Sequence, residues 1–292
     1  MLHSILKKYL PSLGKSWLFV LVFLAGTLLI SYALAAAPEG SFFRSTSCMY
    51  LCSFLPLFIF IFFDAKNNAK PYSQEVSISH ATYGNLSPFI FYPVIALAVI
   101  CLEIAIEPIS ALIPMPDAIK TLFENMLKGQ TFADTLICTV ILAPIVEETL
   151  CRGIICRGLL TRMKPWKAIV WAAFIFAVLH MNPYQGIPAF ALGCLFGWVY
   201  YRTHCLLATI LMHGFNNLLS VLLTINHSDM PIDSTLRDYP FFAGANQWKY
   251  WAMVAVCVVV FALIILLLQK KLSNKNTFVV KPAVNEEAVV SD

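Results

Sequence analysis

What most limits the folds open to this chain is a recurrence of apolar runs near the length that crosses a bilayer. An α-helix rises 1.5 Å per residue, so ~20 residues cover the ~30 Å hydrocarbon layer. Eight candidate spans can be traced, roughly 17–37, 48–63, 86–106, 132–151, 166–180, 186–201, 205–225 and 250–268. The second, fifth and sixth are short for a straight crossing, and the fourth is expected to continue as helix to Thr161. With 59% hydrophobic and only 12% charged residues, the chain lies far from soluble domains, of which about 25% is charged. The expected fold is all-α: a polytopic membrane protein, a bundle of about eight transmembrane helices.

Charge sets the orientation rather than a partner class. The net charge of +4 is spread over short loops, which gives no nucleic-acid footprint. Eight spans with the N-terminus inside place fourteen Lys and Arg on the cytoplasmic side and five on the other, as the excess of basic residues on the cytoplasmic face requires. Both termini are therefore expected in the cytoplasm. Lys7, Lys8 and Lys15 ahead of the first run also fit a signal peptide, but 21 residues is long for a signal core. Asp117 to Lys128 reads as an interfacial amphipathic helix, and the polar tail from Asn274 as disordered. Most of the nine cysteines fall in or at the ends of apolar runs, where Cys acts as a small hydrophobe. Three regions follow: 1–131 with the first spans and the interfacial helix, 132–225 as a catalytic core, and 226–292 with an outer loop, the last span and the tail.

The core is marked by polar residues in apolar surroundings. Glu147, Glu148 and Arg152 interrupt the fourth run, although a charge at that depth costs on the order of 2.5–3.5 kcal/mol on insertion scales. His180 ends the fifth run, and His213 and Asn217 lie in the seventh. Lys164-Pro165 breaks the helix between the fourth and fifth runs. Glu147 is 17 residues before Lys164 and His180 is 16 after it, so both sit ~25 Å from that turn. With a further turn near Thr203, Glu147, His180, His213 and Asn217 can reach one cavity open to the cytoplasm. Glu148 and Arg152 are i,i+4 and can neutralise each other. His213 and Asn217 share a face by the same spacing, as do Phe176 and His180. Ala189, Gly193 and Gly197 form a stripe for close helix packing. Glu103 and Glu107, near the outer end of the third span, read as interfacial.

Chemically, Glu147 with His180 can polarise a water, while His213 and Asn217 can donate hydrogen bonds to a developing oxyanion. The rival arrangement is a zinc site built from His180, His213 and Glu147 with an open position for water. No HExxH motif is present. Two other classes compete with an enzyme: a catalytically silent scaffold that keeps the network for packing, and a proton-coupled transporter, for which no repeat symmetry is visible.

The segment Ala143-Pro144-Ile145-Val146-Glu147-Glu148-Thr149-Leu150-Cys151-Arg152-Gly153 resembles the EExxxR motif of the CAAX-processing and bacteriocin-immunity (CPBP) intramembrane endopeptidases. Phe176 to His180 matches their FxxxH and His213 to Asn217 their HxxxN, in the same order on successive spans. The likeness covers roughly 132–221. It implies an intramembrane endopeptidase in a bacterial inner membrane, cleaving membrane-associated substrates such as CAAX-like or leader peptides with a water activated by Glu and His. By that resemblance Glu147 is the base, His180 its partner, and His213 with Asn217 the oxyanion donors, with Glu148 and Arg152 in support. It also admits an inactive immunity protein and leaves the metal open. Cys151 stands where the family often has an aromatic residue.

Overall fold

The computed structural model describes residues 2–38, 40–68, 76–121, 124, 132–226, 230–272 and 278. All eight expected runs are helical. A short α1 (Leu2–Lys8) precedes α2 (Leu13–Ala35), α3 (Thr46–Asn68) and α4 (Pro88–Ser110). A continuous helix α5 covers 132–160, followed by α6 (Pro165–Leu179), α7 (Pro183–Thr203), α8 (Leu206–Asn226) and α9 (Gln247–Lys271). There is no strand among the described residues. The expected interfacial helix is helical at 117–121, and most of its remainder lies outside the described residues, as does the tail apart from Phe278.

Local chemistry sets the boundaries. Pro88, Pro165 and Pro183 open their helices, where the missing N–H costs nothing and φ is already helical. The Ser12 and Asn182 side chains accept N–H groups of the first turns of α2 and α7. His204 ends α7 with φ at 50°, a left-handed cap that only a few non-glycine residues accept.

By length and composition five of the helices can cross a membrane, namely α2, α3, α4, α8 and α9, and α6 is a shorter apolar helix. The three remaining runs are helical as well but fall outside that group. The exceptions are the elements that carry or support the polar motifs. Helix α5 changes register twice, α6 has 15 residues and reaches only ~22 Å, and α7 carries polar and small residues along its length. The most apolar segment, ending in α9, buries only 17% of its window, and Val256, Leu263 and Leu266 stand about 60% exposed. Apolar side chains facing outward on such helices define an integral membrane protein, with lipid as their solvent.

Two apolar clusters form the core. One joins α2, α3, α5 and α6 through Phe19, Phe54, Leu57, Ile154 and Ala172; the other joins α4, α8 and α9 through Phe91, Ile95, Met212 and Leu268. Helix α7 contributes to both, so the motif residues of α5 and α8 meet at the seam. The small-residue stripe works as expected on the α6 side: a Cβ on Gly193 would lie 3.0 Å from Ala173, and one on Gly197 3.1 Å from Ile169.

The basic residues assigned to one side of the membrane gather at one end of this bundle. Arg157 is fully buried and gives all its donors to carbonyls: its own Gly153, Leu6, Lys7 and Tyr9 at the end of α1, and Val76. Arg162 donates to Leu10 O, and Arg202 to Gln269 and Leu272 O at the end of α9. At the other end Asp134 Oδ2 accepts from Thr46 N (2.9 Å), Glu107 from Leu236 N and Tyr250 Oη, and Lys120 pairs with Asp233 at 2.8 Å.

Candidate active site

The geometry of α5 starts from Pro144. A proline inside a helix has no N–H and crowds the carbonyl four residues back. Here the helix widens to π geometry over Ile137–Leu142, returns to α over Ala143–Glu148, and widens again over Thr149–Cys156. Such π turns recur at functional sites, and the α turn between them carries both glutamates. In the five-residue register Ala143 N–H bonds Cys138 O. The next carbonyl, Thr139 O, has only proline opposite it. Asn217 fills the gap, its Nδ2 donating to Thr139 O at 2.8 Å. One turn earlier on α8, Gly214 lets the backbones approach, since a Cβ there would sit 2.8 Å from Val140 O. This contact sets His213 against the glutamates.

Four charged or chargeable groups then share one pocket of the interior. Arg152 Nη1 donates to Glu148 Oε1 at 2.7 Å, and neither residue has any exposed surface. The guanidinium also donates through Nη2 to Gly193 O (3.0 Å) and lies 4.7 Å from the Phe176 ring centre and 5.4 Å from that of Phe196, so it is held by charge, carbonyl and aromatic faces together. His213 Nδ1 is 3.1 Å from the same Glu148 Oε1. A carboxylate accepts, so Nδ1 carries the proton and Nε2 points onward. It points at Glu147, with Nε2 3.9 Å from Oε2. That oxygen is buried and has no hydrogen-bond partner among the described residues, while Oε1 accepts from Tyr50 Oη at 2.6 Å.

The structure brings some of the residues singled out in the sequence together and leaves others apart. The Glu148–Arg152 pair forms, and Glu147, Glu148, His213 and Arg152 come together. His180 does not join them by hydrogen bonding. Its Nδ1 donates to Phe176 O at 2.9 Å, its ring stands perpendicular to that of Phe176 with centres 4.9 Å apart, and among the described residues it bonds no glutamate. Its link to the cluster is the Phe176 ring, which also packs on His213 at 5.6 Å. The carbonyl fixes the His180 proton on Nδ1 and leaves Nε2 as the free basic nitrogen. Asn217 meets the backbone of α5.

Three partners escaped the sequence reading: Tyr50, the Gly193 carbonyl and Glu148 as a ligand of His213. Tyr50 left a signal, since a phenol inside an apolar run needs a partner for its hydroxyl; the other two follow from packing alone. The rival zinc site was tested on its donors. Among the described residues no group of three or more His, Cys, Asp or Glu is placed to hold an ion. Glu147 and His213 converge, but His180 faces its own helix. The donors therefore do not assemble a three-ligand site. An open apolar groove of ≈ 700 Å³ lies at the α6–α7 turn, lined among others by Ile106, Phe174, Val178, Met181 and Phe190. The glutamate cluster does not line it.

The fold defines a helical membrane protein with a buried cluster of acid and base groups in its interior. Residues 129–219 match the family model described as Type II CAAX prenyl endopeptidase Rce1-like. This segment, about a third of the chain, is similar to that family over the stretch that carries the three motifs, which supports the resemblance to the CPBP endopeptidases. Comparison with curated proteins and with solved structures gives no match.

Proposed function

We propose that the protein is an intramembrane endopeptidase that hydrolyses peptide bonds of membrane-associated substrates with a water activated by Glu147. The observation that carries this reading is the 3.9 Å gap between Glu147 Oε2 and His213 Nε2, in which the oxygen has no partner. A polar separation of that length suits one bridging oxygen. In the proposed cycle Glu147 Oε2 takes a proton from water, and the water oxygen adds to the scissile carbonyl carbon. The resulting oxyanion is assigned to His213 and the side-chain amide of Asn217 as hydrogen-bond donors; donors so placed are worth ~2.7–4 kcal/mol each in other enzymes. Glu147 then returns the proton to the leaving amine as the C–N bond breaks. Glu148 and Arg152 balance the charge of this exchange, and His180 Nε2 is assigned to the substrate side of the Phe176 ring. The family description supports a prenylated CAAX-type sequence as the first substrate to try, in a bacterial inner membrane.

The test uses purified protein in proteoliposomes with an internally quenched farnesylated CAAX-type peptide, beside substrate-trapping proteomics of Glu147→Ala against wild type in native membranes. Glu147→Gln should abolish cleavage, and Asn217→Ala should lower kcat by roughly 10²–10³ with little change in KM. A scaffold or immunity protein predicts the reverse, with Glu147→Gln silent at normal abundance. Stoichiometric zinc in active protein, with activity lost to a chelator and restored by the ion, would replace the metal-free cycle.

A further inference from the structure

Among the described residues, the Glu147 side chain reaches beyond the family-matched segment for its hydrogen bond. Tyr50 lies on α3, 97 positions away in the chain, and its hydroxyl donates to Glu147 Oε1 at 2.6 Å. The phenol is held in place independently of the glutamate. Its ring centre is 5.1 Å from that of Phe54, which packs in turn on Phe23 of α2 at 4.6 Å. The start of α3 is tied to the start of α5 by the Asp134 carboxylate, which takes Thr46 N–H, and α3 packs along Ile137–Leu142, just before the glutamates. Close approach of α2 to α3 at Gly26, where a Cβ would lie 2.9 Å from Pro56, completes the support.

A carboxylate has two equivalent oxygens and turns freely about its last bond unless something distinguishes them. Tyr50 distinguishes them: Oε1 is occupied, and Oε2 is left bare toward His213. We infer that Tyr50 is a positioning residue for the hydrolysis, fixing the Glu147 carboxylate so that Oε2 alone meets the water. The site is then incomplete within 129–219 and is finished by a helix from the N-terminal half. This inference rests on the proposed role of Glu147.

Tyr50→Phe keeps the ring and removes the donor. In proteoliposomes with the quenched farnesylated peptide, kcat should fall roughly 10- to 100-fold, as expected for a lost hydrogen bond to a charged group, with KM within about twofold. Glu147→Asp withdraws the carboxylate from Tyr50, so adding Tyr50→Phe to it should cost little more. An unchanged kcat in Tyr50→Phe, or full additivity in the double variant, overturns the inference. Glu147→Gln that cleaves at the wild-type rate instead overturns the reading beneath it. Should Tyr50→Phe fail to fold, or the peptide not be cleaved, fluorotyrosine at position 50 preserves the packing and strengthens the donor. The infrared carboxylate band absent from Glu147→Gln should then shift, and a band that does not move rejects the contact.

Discussion

A buried charge is stable only while its neighbours answer it, and Arg152 shows how many answers one guanidinium needs. It takes Glu148 Oε1, Gly193 O and two aromatic faces. Removing one partner from a buried pair costs roughly 3–5 kcal/mol, because the other charge is stranded. Glu147 is answered differently, by a neutral phenol and a histidine at a distance, and its side chain keeps 16% of its surface. Arg152→Ala should therefore melt in detergent well below the wild type, while Glu147→Ala stays close to it. Equal melting of the two variants would remove the structural role from the ion pair. The pair was legible from i,i+4 spacing alone. Its third member was not, because His213 meets Glu148 across 65 positions of chain, and only the approach of α8 to α5 decides which glutamate it touches.

At the scale of elements, that approach depends on a carbonyl, a proline and a glycine. Pro144 leaves Thr139 O to Asn217, and Gly214 passes against Val140 O. Gly214→Ala places its new methyl 2.8 Å from a backbone oxygen, which cannot swing aside as a side chain would. A loss of about 1–3 kcal/mol is expected, typical of overpacking, together with lower activity as His213 moves from the glutamates. A fully active, equally stable variant would show that the helices can separate without consequence. Hydropathy and proline reveal where α5, α6 and α7 begin and end. They do not reveal π geometry, which depends on how the carbonyls freed by Pro144 are taken up by another helix.

The turn between α7 and α8 adds a pH dependence. His204 is buried, its Nε2 donates to Ser77 O at 2.7 Å, and Nδ1 has no partner among the described residues. Burial, assisted by the nearby Arg157 and His80, lowers its pKa from 6.5 to about 4, against the opposing pull of the Ser77 carbonyl. The unfolded chain thus binds the proton more readily, so this contribution to stability is complete above about pH 6.5 and is lost as pH falls toward 4. The melting temperature should drop across that window. His204→Asn, which tolerates the left-handed backbone, should flatten the slope, and an unaltered slope would assign the acid sensitivity to other groups.

For the whole molecule, the clustering of Arg157, Arg162 and Arg202 with the ends of α1 and α9 puts both described termini at one end of the bundle. From the excess of basic residues we propose that end as the cytoplasmic one, a proposal that rests on sequence counts. They could not give the depth of the α6–α7 turn. With 15 residues, α6 climbs ~22 Å from the basic end, short of the ~30 Å hydrocarbon layer. The turn is built for such a place, where backbone groups must be satisfied without water. His180 N bonds Ala177 O, Met181 N bonds Val178 O, and Asn182 donates to His180 O at 2.8 Å while accepting from Gln185 N at 2.9 Å. Met181 itself is 59% exposed and lines the apolar groove. In a cysteine-depleted background, Thr161→Cys should react with an impermeant maleimide only from the cytoplasmic side, and Ala243→Cys only from the other. Met181→Cys should resist that reagent from both sides yet react with a lipid-soluble maleimide. Labelling of Met181→Cys by the impermeant reagent would place the turn in water.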